Sequence, residues 1–186
     1  VDRMNKVGMA IDVSHASDQT CLDVCEASNQ PIFITHAGAR AIWDSKRLKP
    51  DEVLKACAET GGVIGIEAAP HTTVTEDTQE HSIKSFMEHF EYVVDLVGID
   101  NVSFGPDTLY GDHVGLHHAV AEFLAVKSSM GKKGEEPVEV DYVKGLENPT
   151  EASQNIIRWL VKHGYSDKEI EKVIGGNTLR ALEDIW

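Results

Sequence analysis

Four short apolar runs, rich in β-branched residues and separated by helical patterns, constrain this chain more than any other feature. Residues 7–13, 32–35, 63–67 and 101–105 read as strands with no regular polar alternation, as expected for a parallel sheet covered by helices or filling a barrel core. Asp18–Ala27 and residues 50–59 read as helices, the second opened by Pro50 and closed by Gly61 and Gly62. Phe86, Phe90, Val93, Val94 and Val97 recur at helical spacing, and Gly98 follows as a stop. Successive β and α elements of this kind wrap a parallel sheet. Two further helical patterns close the chain, one through Ile156, Ile157, Leu160 and Val161, the other through Ile170, Val173, Ile174, Leu179, Leu182 and Ile185. Before them, "AVAEFLAVKSS" can be helical, and "MGKKGEEPVEVDYVKGLENPT" reads as a polar loop. A closed parallel barrel wants eight strands, and a sheet of four leaves two edges unpaired. The opening "VDRMNKVG" reads as the last turn of a helix, so the expectation is that further elements belong upstream.

The 186 residues can bury one sizeable core, and nothing in their number demands a second domain. A net charge of -14, from 31 acidic against 17 basic residues, makes nucleic acid and anionic membrane surfaces poor partners. Cys21, Cys25 and Cys57 have no paired metal-site spacing and read as small buried hydrophobes in a reducing compartment. There is no signal-peptide pattern and no apolar run of membrane-spanning length, so the expected location is cytoplasmic.

Two strands end alike. "GMAIDVSHASD" stops at His15 and "IFITHAGAR" at His36, while "VSFGPD" ends at Asp107. In barrels and open α/β sheets the C-terminal edge of the strands is where ligands bind, and imidazoles with a carboxylate are natural zinc ligands. Strand-end residues hydrogen-bonded only to backbone would look the same in sequence. Glu67 and His71, in "VIGIEAAPH", lie near a third strand end and could join the site. "YGDHVGLHH" gathers His113, His117 and His118 around Asp112, which reads more simply as a loop and helix start than as a metal cluster. His81, His89 and His163 are expected on outer helix surfaces. Arg40 and Arg47 follow His36 closely, and either guanidinium could hold a substrate carboxylate; surface charge accounts equally for the cluster Lys46, Arg47 and Lys49.

The strings "GMAIDVSH", "ITHAGARAIWDSKRLKPDEVLKACAETGGVIGI", "LVGIDNVSFGPD" and "GGNTLRALE", in this order along nearly the whole chain, resemble the C-terminal half of the membrane dipeptidase (renal dipeptidase) family of zinc metallopeptidases. The resemblance implies an α/β fold of (β/α)8 TIM-barrel type, metal-dependent hydrolase-like, with residues 1–186 forming the C-terminal half as four parallel strands with their helices. It implies two zinc ions and a dipeptide substrate. His15 and His36 match histidines of the second zinc, Arg47 the arginine that holds the dipeptide carboxylate, and Asp107 the aspartate that assists proton transfer. The first-metal pair and the bridging glutamate belong to the N-terminal half. "PDTLYGDH" departs from the second aspartate and glycine usual after Asp107 and resembles a divergent bacterial branch. Alone, the chain is expected to be inactive and to associate, as a homodimer or with an N-terminal half. The alternatives are a non-catalytic half-barrel that self-associates, or a related metal-dependent amidohydrolase acting on N-acyl amino acids.

Overall fold

The computed structural model describes residues 1–124 and 140–186. Residues 130–139 of the stretch expected as a polar loop, and 125–129 of the helical pattern before it, therefore lie outside the described residues. After a short α1 (Asp2–Lys6), three β/α steps run β1 (Ile11–Asp12), α2 (Asp18–Ala27), β2 (Ile32–Ala37), α3 (Asp51–Glu59), β3 (Val63–Ile66) and α4 (Ile83–Val97). The chain continues through β4 (Val102–Phe104), α5 (His113–Leu124), α6 (Pro149–Lys162), α7 (Asp167–Glu171) and α8 (Asn177–Ile185). The four strands form one parallel sheet in the order β1-β2-β3-β4, a half-barrel of α/β TIM-barrel type. Among the described residues no helix is long and apolar enough to cross a membrane.

The expected boundaries hold closely for α2, α3 and α4; Gly98 ends α4 with φ of 85°, a conformation costly for other residues. The first strand is shorter than its apolar run suggests. The amides of Val7, Gly8 and Met9 bond back to carbonyls of Met4 and Asn5, so these residues close α1 instead of extending β1. Alternation along the strands separates two cores. Ile32, Ile34, Ile64, Ile66 and Val102 face the helices with Phe86, Phe90 and Leu54, while Phe33 and Val63 meet Ala181 and Ile185 of α8 on the other face. Cys21, Cys25 and Cys57 are buried and free, and burial pushes the Cys25 thiol up to about 11.

β2 breaks the alternation once, between Ile34 and Ala37. Both of those residues belong to the helix-side core, so the two between them, Thr35 and His36, are turned off that face together. The bulge carries the Thr35 carbonyl across the inner face of the sheet. A Cβ on Gly65 would lie 2.1 Å from that oxygen and one on Gly105 1.9 Å, so both positions must lack a side chain.

His89 departs from expectation. It is 1% exposed, accepts the Ala39 amide on Nδ1 and lies 2.9 Å from the Val74 carbonyl through Nε2. Gly38 makes room for it, since a Cβ there would lie 2.9 Å from Nδ1. His81 is buried as well; apolar spacing could not reveal either, because both are drawn inward by loops from other parts of the chain. His163 does sit outside, stacked on Trp159.

Two consequences are measurable. Gly105→Ala forces a methyl group against backbone and is expected to cost about 1–3 kcal/mol, seen as a lowered urea midpoint; unchanged stability would show that the bulge relaxes freely. Burial pushes His89 down to about 4, whereas an unfolded imidazole titrates near 6.5. The unfolded chain therefore takes the proton first, and His89's contribution is present above pH ~6.5 and lost as pH falls toward ~4, up to about 3 kcal/mol. Comparing urea curves at pH 7 and 5 for wild type and His89→Gln tests this: the variant is expected to be less stable at pH 7 and to lose less on acidification.

Candidate functional site

The bulge and the end of β1 bring two imidazoles together. His15 Nε2 and His36 Nε2 are 2.9 Å apart, although 21 residues separate them in sequence. Behind them stands Asp12, whose carboxylate accepts the Ser14 and Thr35 amides and both of their hydroxyls. Burial pushes Asp12 upward, but these four hydrogen bonds outweigh it and hold the carboxylate below its ordinary range. The Thr35 hydroxyl thus gives its only hydrogen to Asp12, and its oxygen, 2.9 Å from His36 Nδ1, accepts the Nδ1 hydrogen. That network assigns the His36 tautomer and leaves the Nε2 lone pair facing His15. Burial is the first cause that lowers His15, followed by the charges of Arg47 and His36, while Asp107 and Asp12 pull it back up. Neutral imidazoles are what a metal requires.

Arg47 is built into the site. Its Nη1 donates to the Ser14 carbonyl at 3.3 Å and Nη2 to the His36 carbonyl at 3.1 Å. Nη2 also lies 2.6 Å from Glu67 Oε2, with 9% and 2% of the two side chains exposed. One guanidinium therefore ties the ends of β1, β2 and β3. Glu67 is held on its other oxygen by the Thr72 hydroxyl at 2.7 Å; burial raises its pKa, and Arg47 and then Thr72 oppose that rise. Arg40 is engaged elsewhere, pairing both nitrogens with Asp18 and donating Nε to the Ser45 carbonyl.

Asp107 follows β4 on an exposed turn and is the one non-glycine among the described residues with positive φ, 56°. The turn is pinned where the Ala68 amide donates to the Pro106 carbonyl. Asp107's charge reaches both His15 and Glu67. His71 is buried in the loop after β3, and His113 is buried at the start of α5. Asp112 accepts the Gly115 amide at that helix start, as the plainer reading of "YGDHVGLHH" requires. The side chain of His117 lies outside the described residues. Lys49 is buried, donating to the Ala16 carbonyl, so neither it nor Arg47 is surface charge. Asp12, Ser14 and Thr35 were not singled out from sequence, although a polar residue inside each apolar run was the available signal.

The donor set can be tested against a metal. Two nitrogens 2.9 Å apart are close enough for one zinc ion to reach both with bonds of about 2.0–2.1 Å, but such ions take three or four protein ligands. Among the described residues no group of three or more His, Cys, Asp or Glu side chains could hold a metal ion. His15 and His36 fit as a ligand pair, not as a complete site.

The model of a family described as "Membrane dipeptidase (Peptidase family M19)" matches residues 1–124. "Dipeptidase aclJ" of Aspergillus oryzae is 29% identical over 185 residues, covering 100% of this chain and 37% of its own length. An amidohydrolase from Pseudomonas aeruginosa superposes with a TM-score of 0.83 at 26% identity, covering 100% of this chain and 55% of that one. A metallo peptidase from Rhodobacter sphaeroides, liganded with a phosphinate mimic of the dipeptide L-Ala-D-Ala, gives a TM-score of 0.73 at 20% identity over 100% of this chain and 45% of its own. The chain thus spans about half the length of these structures, or less, and little more than a third of the Aspergillus relative. With its two histidines at neighbouring strand ends of a half-barrel, the chain belongs to the membrane dipeptidase family, peptidase family M19.

Proposed function

We propose that this chain supplies one metal position of a zinc-dependent hydrolase that cleaves the amide bond of dipeptides. His15 and His36 are the ligands of one ion, Asp107 handles the proton, and Arg47 addresses the substrate's C-terminal end. The observation that carries the reading is the meeting of the two Nε2 atoms at 2.9 Å, one of them with its tautomer set by Thr35 and Asp12. The Aspergillus relative is named a dipeptidase and the Rhodobacter structure holds a dipeptide mimic, which supports this substrate class. The likeness to a Pseudomonas amidohydrolase favours a second reading, a related metal-dependent amidohydrolase, for which we propose small N-acyl amino acids as the substrate class.

Bound zinc supplies Lewis-acid polarisation of the scissile carbonyl and a water of lowered pKa. The chain's own residues do the rest. Asp12 and Thr35 hold His36 in one tautomer, so no reorganisation is needed when a ligand arrives. Asp107, exposed and near His15 in electrostatic terms, takes the proton from the nucleophile and returns it to the leaving amine. Arg47 fixes the substrate end at a set distance from the histidines, which restricts the site to short substrates.

Residues 1–186 act in this reading as the C-terminal half of a barrel domain. β1 and β4 are the edges of the sheet, and Val7, Met9 and Trp186 are exposed beside the first. The remaining ligands and the covering of these edges come from the other half, or for the isolated chain from a second copy.

In zinc calorimetry, His15→Asn and His36→Asn are each expected to abolish measurable binding by the pair. Thr35→Val is expected to weaken it about 10–100-fold with unchanged circular dichroism; affinity equal to wild type in all three would refute the assignment. The 186-residue chain alone is expected to scatter light as a dimer or larger and to leave dipeptides uncut in added zinc. A compact monomer would contradict the association, and dipeptide turnover would show that no further half is needed.

A further inference from the structure

The neighbours of Arg47 bear on which substrate ends the site accepts. A guanidinium takes a carboxylate two-pronged along one of two edges, Nη1 with Nη2 or Nη2 with Nε. Both edges need Nη2. Here Nη2 lies 2.6 Å from Glu67 Oε2 and 3.1 Å from the His36 carbonyl oxygen. Nη2 spends a hydrogen on the His36 carbonyl and Nη1 one on the Ser14 carbonyl, while Glu67 Oε2 stands against the guanidinium as a charge contact that takes no hydrogen bond. An incoming carboxylate therefore meets a cation whose Nη1 and Nη2 are already donating and whose charge is balanced by a buried anion. Glu67 does not give way readily: its second oxygen holds the Thr72 hydroxyl at 2.7 Å, and Thr72 is 1% exposed. Leaving Glu67 buried without its cation would carry a large desolvation penalty.

We propose that Glu67 is a specificity-determining residue which, by occupying Arg47, turns this site away from substrates with a free C-terminal carboxylate and toward small amides whose end is neutral. The inference rests on the reading that the site hydrolyses small amides. It narrows that reading to C-terminally amidated or otherwise uncharged substrates, whose carbonyl or amide can meet the open donors of Arg47 singly.

The test has a binding arm and a turnover arm, both on the full-length zinc-loaded protein. Calorimetry compares N-acetylalanine with N-acetylalaninamide, and kinetics compare Ala-Ala with Ala-Ala-amide. Wild type is expected to bind and cleave the neutral member of each pair better. Glu67→Gln is expected to raise the ratio of kcat/KM for Ala-Ala to that for Ala-Ala-amide by about 10-fold or more, the size of one charge-assisted hydrogen bond. The wild-type binding preference does not depend on any variant folding, and Glu67→Asp, which keeps the charge, is expected to retain the preference for the neutral end. Tighter wild-type binding of N-acetylalanine overturns the proposal, as does an unchanged Ala-Ala to Ala-Ala-amide ratio in folded Glu67→Gln, or binding of neither ligand. A preference for the neutral ligand without turnover of either dipeptide supports the role of Glu67 and defeats the hydrolase reading.

Discussion

The site depends on a backbone displacement in the second strand. Because Ile34 and Ala37 both face the helix-side core, Thr35 and His36 must leave that face together, and the Thr35 carbonyl moves across the sheet as far as Gly105 beyond β4. Two glycines, Gly65 in β3 and Gly105 just past β4, make the space. From this displacement follow the direction of the His36 ring, the position of the Thr35 hydroxyl between Asp12 and that ring, and the His36 carbonyl that Arg47 grips. A regular strand here would present His36 to the helices, where a half-exposed imidazole has no partner.

Much of this was legible in the sequence, for reasons that differ from residue to residue. Ile32, Ile64 and Phe86 announce strands and a helix because burial on a regular lattice imposes a period. His15 and His36 were visible as imidazoles at the ends of apolar runs. Their contact was not, because it requires the bulge, and a bulge leaves no periodic trace beyond the polar pair Thr35-His36 itself. Gly65 and Gly105 could be read only as turn or packing residues until the carbonyl between them was seen. His89 hid for the opposite reason: it occupies a regular helical position, and what makes it buried comes from Ala39 and Val74.

In a chain of net charge -14, three cations near the site are held while Lys46 stays exposed. Arg40 is clamped by Asp18, Lys49 by the Ala16 carbonyl, and Arg47 by Glu67 with two strand-end carbonyls. The loop that carries them, residues 40–49, is thereby fastened to α2 and to three strands by charge and hydrogen bonds as well as by the fully buried Leu48. Electrostatics here adds to apolar packing at the edge where the core gives way to the site.

His89 adds a mechanical consequence. Its ring, carried on α4, holds the segment after β2 through Ala39 and the segment after β3 through Val74. Arg47 stands beyond the first of these segments, and Glu67 and Thr72 open the second. Sliding one segment past the other would cost at least one of these two buried hydrogen bonds. The contact between Arg47 and Glu67 is thus braced by a residue that touches neither.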